Sequence, residues 1–131
     1  MAEGVPVFLN PEDGKKVGVS ELEKAYTKRT RLLIINSPQN PSGLIYTKKE
    51  LQAIGEWAVA HDVILVADDM YSKLVYNGNH FTSLIELGEK IRKQTILVSG
   101  LSKAYAMTGW RVGYTVAPQE VIKKMNAVIG H

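Results

Sequence analysis

Three apolar runs, each four or five residues long, are the feature that most limits what this chain can fold into. They are residues 32–35 (LLII), 63–67 (VILVA) and 95–98 (TILV). Runs of this kind are typical of strands that are covered on both faces, as in parallel sheets. We therefore predict three buried strands, and we expect the first of them to be covered on both faces in the complete protein.

Helical signals lie between these strands. Ser20 and Glu23 have the spacing of a capping box, which predicts a helix over residues 20–27. Thr47 and Glu50 have the same spacing. The residues that then recur at helical intervals are Leu51, Ile54, Ala58 and His61.

The two ends of the chain carry weaker signals. Residues 5–9 predict a short strand and residues 10–14 (NPEDG) predict a turn. Residues 111–116 predict a fourth buried strand, and Pro118 suits the first turn of a last helix. One face of that helix carries Val121, Ile122, Met125, Val128 and Ile129. Alternating strands and helices indicate an α/β fold with a largely parallel sheet.

Composition excludes several classes of function. The 131 residues amount to one domain, and the net charge of +3, from 16 basic and 13 acidic residues, is too small and scattered to indicate nucleic-acid binding. The densest basic stretch, residues 28–31, is interpreted as a solvated turn before a strand. The chain has no cysteine, which excludes disulfides, zinc thiolate sites and cysteine nucleophiles and fits the cytoplasm, where we expect the protein. No apolar run reaches the roughly 18 residues of a membrane helix, so we expect no membrane association.

Polar residues follow each of the three strands. The loops begin at Asn36, Asp68 and Ser99. In open α/β sheets, ligands bind beyond the carboxyl ends of the strands. We therefore expect these three loops to face one crevice.

Two groups in these loops could carry chemistry. Lys103 lies in a tight loop after the third strand, where partial desolvation would favour a neutral, nucleophilic amine; from this loop alone, a surface lysine is the alternative. Asp68 ends the second strand, where it could face a cation, and a cap or turn aspartate is the alternative. Its neighbour Asp69 would project differently, and we interpret it as structural or as a group that supports the residues in contact with the ligand.

Three further side chains could bind a ligand. Tyr71 and Asn40 can donate hydrogen bonds to a phenolate oxygen, although each taken alone could equally be structural. The planar guanidinium of Arg111 matches phosphate geometry, with an ordinary salt bridge as the alternative.

The combination is far more specific than its parts. Residues 36–43 (NSPQNPSG), 68–71 (DDMY) and 99–114 (SGLSKAYAMTGWRVGY) occur in this order. Together they closely resemble the class I/II aminotransferases, which are pyridoxal-phosphate (PLP) enzymes of fold type I that include aspartate aminotransferase. The resemblance covers nearly the whole chain and implies a three-layer α/β/α domain with a mostly parallel sheet.

The resemblance also implies a role for each candidate. Lys103 matches the lysine that holds PLP as a Schiff base and moves a proton during catalysis. Asp68 matches the partner of the pyridinium nitrogen, and Asn40 and Tyr71 match the donors to the ring oxygen. Arg111 matches a phosphate ligand.

The chain departs from the family pattern at one position. Many relatives have a phosphate-binding serine three residues before the lysine, where this chain has Gly100. Ser102 or Ser99 could take that place, and we keep Ser102 as the candidate phosphate ligand. Relatives often hold the bond matching Asn40–Pro41 in the cis form, so we expect it to be cis here.

The implied reaction is transamination between an amino acid and a 2-oxo acid, with aspartate or an aromatic amino acid as the donor. A PLP-dependent β C–S lyase and the PLP-sensing domain of a transcription regulator share the same motifs and remain alternatives. We expect residues 1–131 to be a single partial domain, the central part of the PLP-binding large domain, without the N-terminal segment and the C-terminal small domain. The complete enzyme would be a homodimer, and this piece alone would be inactive.

Overall fold

A four-stranded sheet organises residues 16–130, the part of the chain that the computed structural model describes. Its strands, in order across the sheet, are β1 (Leu32–Asn36), β2 (Ile64–Asp68), β3 (Thr95–Gly100) and β4 (Gly113–Val116). The first three strands are parallel, and β4 runs antiparallel to β3. The predicted α/β class with a mostly parallel sheet is therefore confirmed. The strand and turn predicted within residues 5–14 lie outside the described residues.

The first helix, α1 (Val19–Ala25), begins one residue earlier than predicted. The capping box predicted for Ser20 and Glu23 is wrong, because the backbone N–H of Gly18 donates to Glu21 Oε2 at 2.9 Å instead. Ser20 lies inside the helix and donates to Glu21. Glu23 accepts a hydrogen bond from Trp57 Nε1 at 2.7 Å, which ties α1 to the second helix.

The second helix, α2 (Lys48–Ala60), follows the prediction. Thr47 Oγ1 accepts from the backbone N–H of Glu50 at 3.3 Å, and Glu50 Oε2 accepts from the backbone N–H of Thr47 at 2.6 Å. These two bonds satisfy donors at the helix start that would otherwise lack a partner. The apolar residues predicted to recur at helical intervals, Leu51, Ile54 and Ala58, are buried.

The core lies on one face of the sheet, where α1, α2 and the short helix α3 (Glu89–Lys93) pack. Alternate strand residues point to opposite faces, so Ile35, Leu65 and Ala67 enter the core. On the opposite face, Leu32 is 47% exposed and Ile34 is 64% exposed. Within residues 16–130, the core-forming helices therefore cover one face of β1 and leave the other open, and cover on both faces in the complete protein stays a prediction.

The last part of the described chain holds a four-residue helix, α4 (Leu101–Ala104), and a longer helix, α5 (Gln119–Ile129). β4 begins at Gly113 rather than at Arg111, which has a left-handed backbone conformation after the 3₁₀ turn Thr108–Trp110. Pro118 is the N-cap of α5. No helix within residues 16–130 is long and apolar enough to cross a membrane.

Candidate active site

The register of the sheet brings the ends of β1 and β2 together. Asn36 pairs with Asp68, and Asn36 Nδ2 donates to the carbonyl oxygen of Asp68 at 3.2 Å. Asp68 pairs in turn with Val98, which Ser99 and Gly100 follow. The three loops therefore leave neighbouring strands at one edge of the sheet, as predicted.

Asn36, at which the first loop begins, is a site residue to which no role could be assigned from the sequence. Its Oδ1 accepts from the backbone N–H of Asn40 at 2.9 Å, while its Nδ2 is bonded to Asp68. Asn36 thereby fixes Asn40 relative to the end of β2. The available signal was an asparagine at a strand end, four residues before another asparagine. The Asn40–Pro41 bond is cis, as predicted, and so is the Ser37–Pro38 bond.

Asn40 and Tyr71, the two predicted donors to a ring oxygen, are in direct contact. Asn40 Nδ2 donates to the Tyr71 hydroxyl oxygen at 3.2 Å. Because this hydroxyl oxygen accepts, its own proton is left to donate to a ligand. Both residues line an open cleft of about 310 Å³, which also includes Pro38, Leu74 and Tyr76. A larger depression of about 430 Å³ lies between α2 and α3 and contains none of the candidate residues.

Asp68 is half-buried at the end of β2. It lies on the sheet face that carries Ile34. Its register partner Asn36 lies two residues after Ile34 in β1, so the two side chains point to the same face. Its Oδ1 accepts from the backbone N–H of Met70 at 3.2 Å. A carboxylate in this position can face a cation held over that side of the sheet edge.

Asp69 points to the other face and is 6% exposed. Its Oδ2 accepts a hydrogen bond from Ser83 Oγ at 2.6 Å. Burial raises the pKa of Asp69 to about 6, and the negative charges of Asp68 and Glu86 act in the same direction, while the Ser83 hydrogen bond opposes them. The interpretation of Asp69 as structural rather than ligand-facing agrees with this placement.

Lys103 lies in α4, which begins directly after β3. The backbone N–H of Leu101 donates to the carbonyl oxygen of Val112 at 3.1 Å, which anchors the start of α4 against the segment before β4. The side chain of Lys103 is exposed, so the partial desolvation expected for it is not found within residues 16–130. The backbone of the lysine is nevertheless placed by β3, because α4 follows this strand without an intervening loop.

Ser102 and Arg111, the candidate phosphate ligands, are linked through Thr108. Thr108 Oγ1 donates to the carbonyl oxygen of Ser102 at 3.2 Å, and Arg111 Nη1 donates to the carbonyl oxygen of Thr108 at 3.1 Å. Arg111 is exposed, and Ser102 is half-buried. The turn that carries Arg111 is thereby tied to the helix that carries Lys103.

Packing explains the glycine at position 100, where the chain departs from the family pattern. A Cβ atom at this position would lie 2.9 Å from the carbonyl oxygen of Val112 and 3.3 Å from Cα of Gly113. The close approach of β3 and β4 therefore leaves no room for a side chain. Ser99 is buried, and its hydroxyl donates to the carbonyl oxygen of Asp69 at 3.3 Å. Ser102 thus remains the candidate phosphate ligand.

The residues present fit PLP by the chemistry of their donors. A half-buried carboxylate suits a ring-nitrogen cation, and the Asn40–Tyr71 pair supplies donors for a ring oxygen. Lys103 supplies a primary amine for an aldehyde carbon.

Comparison with known proteins shows which family the chain belongs to. The sequence profile of the family described as aminotransferase class I and II matches residues 1–131. The chain belongs to the class I and II aminotransferase family. Members of this family use PLP.

The similarity extends to named relatives. The chain is 49% identical to an asparagine–oxo-acid transaminase of Streptococcus mutans, over 98% of this chain and 33% of the relative. It is 43% identical to an aspartate aminotransferase of Geobacillus stearothermophilus, over 100% of this chain and 34% of the relative. The chain thus spans about a third of the length of the curated relatives it matches.

Solved structures show the same fold. The aspartate aminotransferase of Rhizobium meliloti matches with a TM-score of 0.84 at 43% identity, over 88% of this chain and 29% of that one. The aromatic aminotransferase of Pyrococcus horikoshii matches with a TM-score of 0.78 at 42% identity, over 84% of this chain and 29% of that one.

Proposed function

We propose that the protein containing this chain transfers an amino group between an amino acid and a 2-oxo acid, with PLP as its cofactor. The observation that carries the proposal is the contact between Asn40 and Tyr71 at the sheet edge where Asp68 ends β2. The relatives named above are aspartate, aromatic and asparagine aminotransferases, which supports aspartate or an aromatic amino acid as the donor.

Each candidate residue has a role in this proposal. PLP, when bound, supplies an electron sink that stabilises negative charge on the amino-acid carbon. Lys103 would hold the cofactor covalently and, as a free amine, would move a proton to and from that carbon. The charge of Asp68 would keep the ring nitrogen protonated, and the Tyr71 hydroxyl would donate to the ring oxygen. Ser102 and Arg111 would bind the phosphate.

The same proposal includes the wider organisation of the protein. We assign residues 1–131 to the central part of a PLP-binding large domain, because the relatives are about three times as long as this chain. The active form would be a homodimer in the cytoplasm. Its partners would be amino acids and 2-oxo acids rather than nucleic acids or membranes.

An assay on the protein encoded by the complete open reading frame that contains these residues tests the proposal. With PLP, aspartate and 2-oxoglutarate, we expect oxaloacetate, measured by a coupled dehydrogenase; phenylpyruvate formation from phenylalanine separates the aromatic from the aspartate preference. With a cysteine thioether as the substrate, pyruvate, ammonia and a released thiol in place of an exchanged amino group would indicate the lyase. PLP binding without turnover of any amino acid would indicate the sensing domain of a regulator.

A further inference from the structure

Asp69 is a buried carboxyl group that the proposed chemistry does not use. Asp69 is 6% exposed, and Ser83, whose hydroxyl bonds it, is 4% exposed. Taking a carboxylate out of water is costly unless hydrogen bonds compensate, and a buried group left without its partner costs more than the bond itself contributes. Removing the Ser83 hydroxyl would therefore leave the Asp69 carboxyl group buried without this hydrogen bond, and removing the carboxyl group would do the same to the hydroxyl.

The backbone of Asp69 makes further contacts. Its N–H donates to the carbonyl oxygen of Val98 at 3.0 Å, and its carbonyl oxygen accepts from Ser99 Oγ at 3.3 Å and from the backbone N–H of Ser72 at 3.1 Å. Asp69 thus connects β3, the turn after β2 and the buried hydroxyl of Ser83.

This residue sits at the base of a loop. Between Asp69 and Ser83 the chain forms only turns and irregular structure, and residues 76–80 are exposed. The Asp69–Ser83 bond joins the two ends of the loop, fourteen residues apart. Tyr71 lies near one end, two residues after Asp69, and its turn begins with the bond from Ser72 to Asp69.

We propose that Asp69 is a positioning residue, which together with Ser83 and Ser99 fixes the turn that directs the Tyr71 hydroxyl toward Asn40 and the cofactor. The part of this inference that concerns the cofactor rests on the function proposed above. The part that concerns Tyr71 and Asn40 involves only residues of this chain.

The test uses nuclear magnetic resonance on the protein encoded by the complete open reading frame, without cofactor. The side-chain amide signals of Asn40 report its bond to Tyr71, and Tyr71→Phe gives their position when that bond is lost. We expect Asp69→Ala and Ser83→Ala to move the Asn40 signals toward that position. We also expect the backbone N–H groups of Ser72 and Leu74 to exchange about tenfold faster or more, as the loss of one buried hydrogen bond to a charged group implies.

Two further variants separate positioning from general destabilisation. Asp69→Asn keeps an oxygen that can accept from Ser83, so it should retain the wild-type Asn40 signals. Thr95→Val removes another buried hydroxyl, which bonds the Ile91 carbonyl oxygen at 2.7 Å at the far end of β3, and it should leave Asn40 unchanged.

The outcomes decide the proposal in either direction. Unmoved Asn40 signals in Ser83→Ala and Asp69→Ala, or an equal displacement in Thr95→Val, would overturn it. If Asp69→Ala does not fold, Ser83→Ala carries the test alone. No cofactor is present, so a failure here leaves the proposed function standing, and an absence of transamination leaves this result standing.

Discussion

The side-chain amide of Asn40 donates to the hydroxyl oxygen of Tyr71 at 3.2 Å, although 31 residues separate them in the chain. Each residue follows a different strand, and Asn36 links those strands by bonding both Asn40 and Asp68. A ligand oxygen placed beside this pair would meet donors whose positions are set by the sheet. Such prior positioning lowers the cost of ordering the site when a ligand binds.

Replacing Lys103 with alanine should abolish transamination in the complete protein. The change removes both the covalent attachment and the proton-transfer group, so we expect a loss of at least about 10⁴-fold, the upper range for one general acid–base residue. The coupled assay measures the loss, and borohydride reduction followed by peptide mapping locates the attachment. The control is Lys123→Ala, an exposed lysine in α5 that should have normal activity. A label on any lysine other than Lys103 would refute the assignment.

Replacing Asp68 with asparagine should slow the proton-transfer step on the order of 10³-fold, because the charge that would keep the ring nitrogen protonated is lost. Cofactor binding should also weaken. Asp69→Asn is the matched control, since it changes the adjacent carboxyl group, which points to the opposite face and bonds Ser83. Single-turnover rates with aspartate measure the effect. A larger loss in Asp69→Asn would mean that the wrong carboxyl group had been assigned to the ring nitrogen.

The first three strands and the helix α2 could be predicted because their sequence signals are local. The run at residues 32–35 is apolar throughout, and Thr47 and Glu50 cap α2 with the expected bonds. The predicted start of α1 was wrong because the capping residue is a glycine. Gly18 and Glu21 have the same spacing as the predicted Ser20–Glu23 pair, but glycine has no side chain by which a cap can be recognised in a sequence.

The features that could not be predicted depend on contacts between residues that lie far apart in the chain. The Asp69–Ser83 bond and the exclusion of a side chain at Gly100 arise from how loops and strands meet, and no local pattern encodes them. The family resemblance supplied the grouping of Asn40 with Tyr71, which the spacing of these residues could not.

Replacing Gly100 with serine should destabilise the fold. The new Cβ would meet the Val112 carbonyl oxygen at 2.9 Å, and a backbone atom cannot move aside as a flexible side chain can. Overpacking of this kind costs about 1–3 kcal/mol. The control is Gly109→Ala, because no atom of residues 16–130, apart from those of its chain neighbours, lies within 4 Å of the position its Cβ would occupy. Urea unfolding of both variants measures the difference, and equal stabilities would contradict the close approach of β3 and β4.

The raised pKa of Asp69 predicts how stability depends on pH. In the unfolded chain this carboxyl group has its usual pKa of 3.8, whereas burial raises it to about 6 in the folded protein. Between these values the folded state binds more protons than the unfolded state, so the free energy of unfolding contributed by Asp69 falls as pH rises. At roughly 1.36 kcal/mol per pKa unit, the whole loss is about 3 kcal/mol, of which about 2 kcal/mol falls between pH 4 and pH 7.

Comparing the wild type with Asp69→Asn isolates this contribution, because the asparagine cannot ionise. Glu50 has a lowered pKa, so its contribution to stability rises with pH over the acidic range, and it cancels in the difference between the two proteins. Urea unfolding from pH 4 to pH 7.5 should show the wild type losing stability relative to the variant, with most of the change complete by pH 7. A constant difference across this range would mean that Asp69 does not titrate as a buried carboxyl group, and a difference of opposite sign would mean that its ionised form is the one that the fold stabilises.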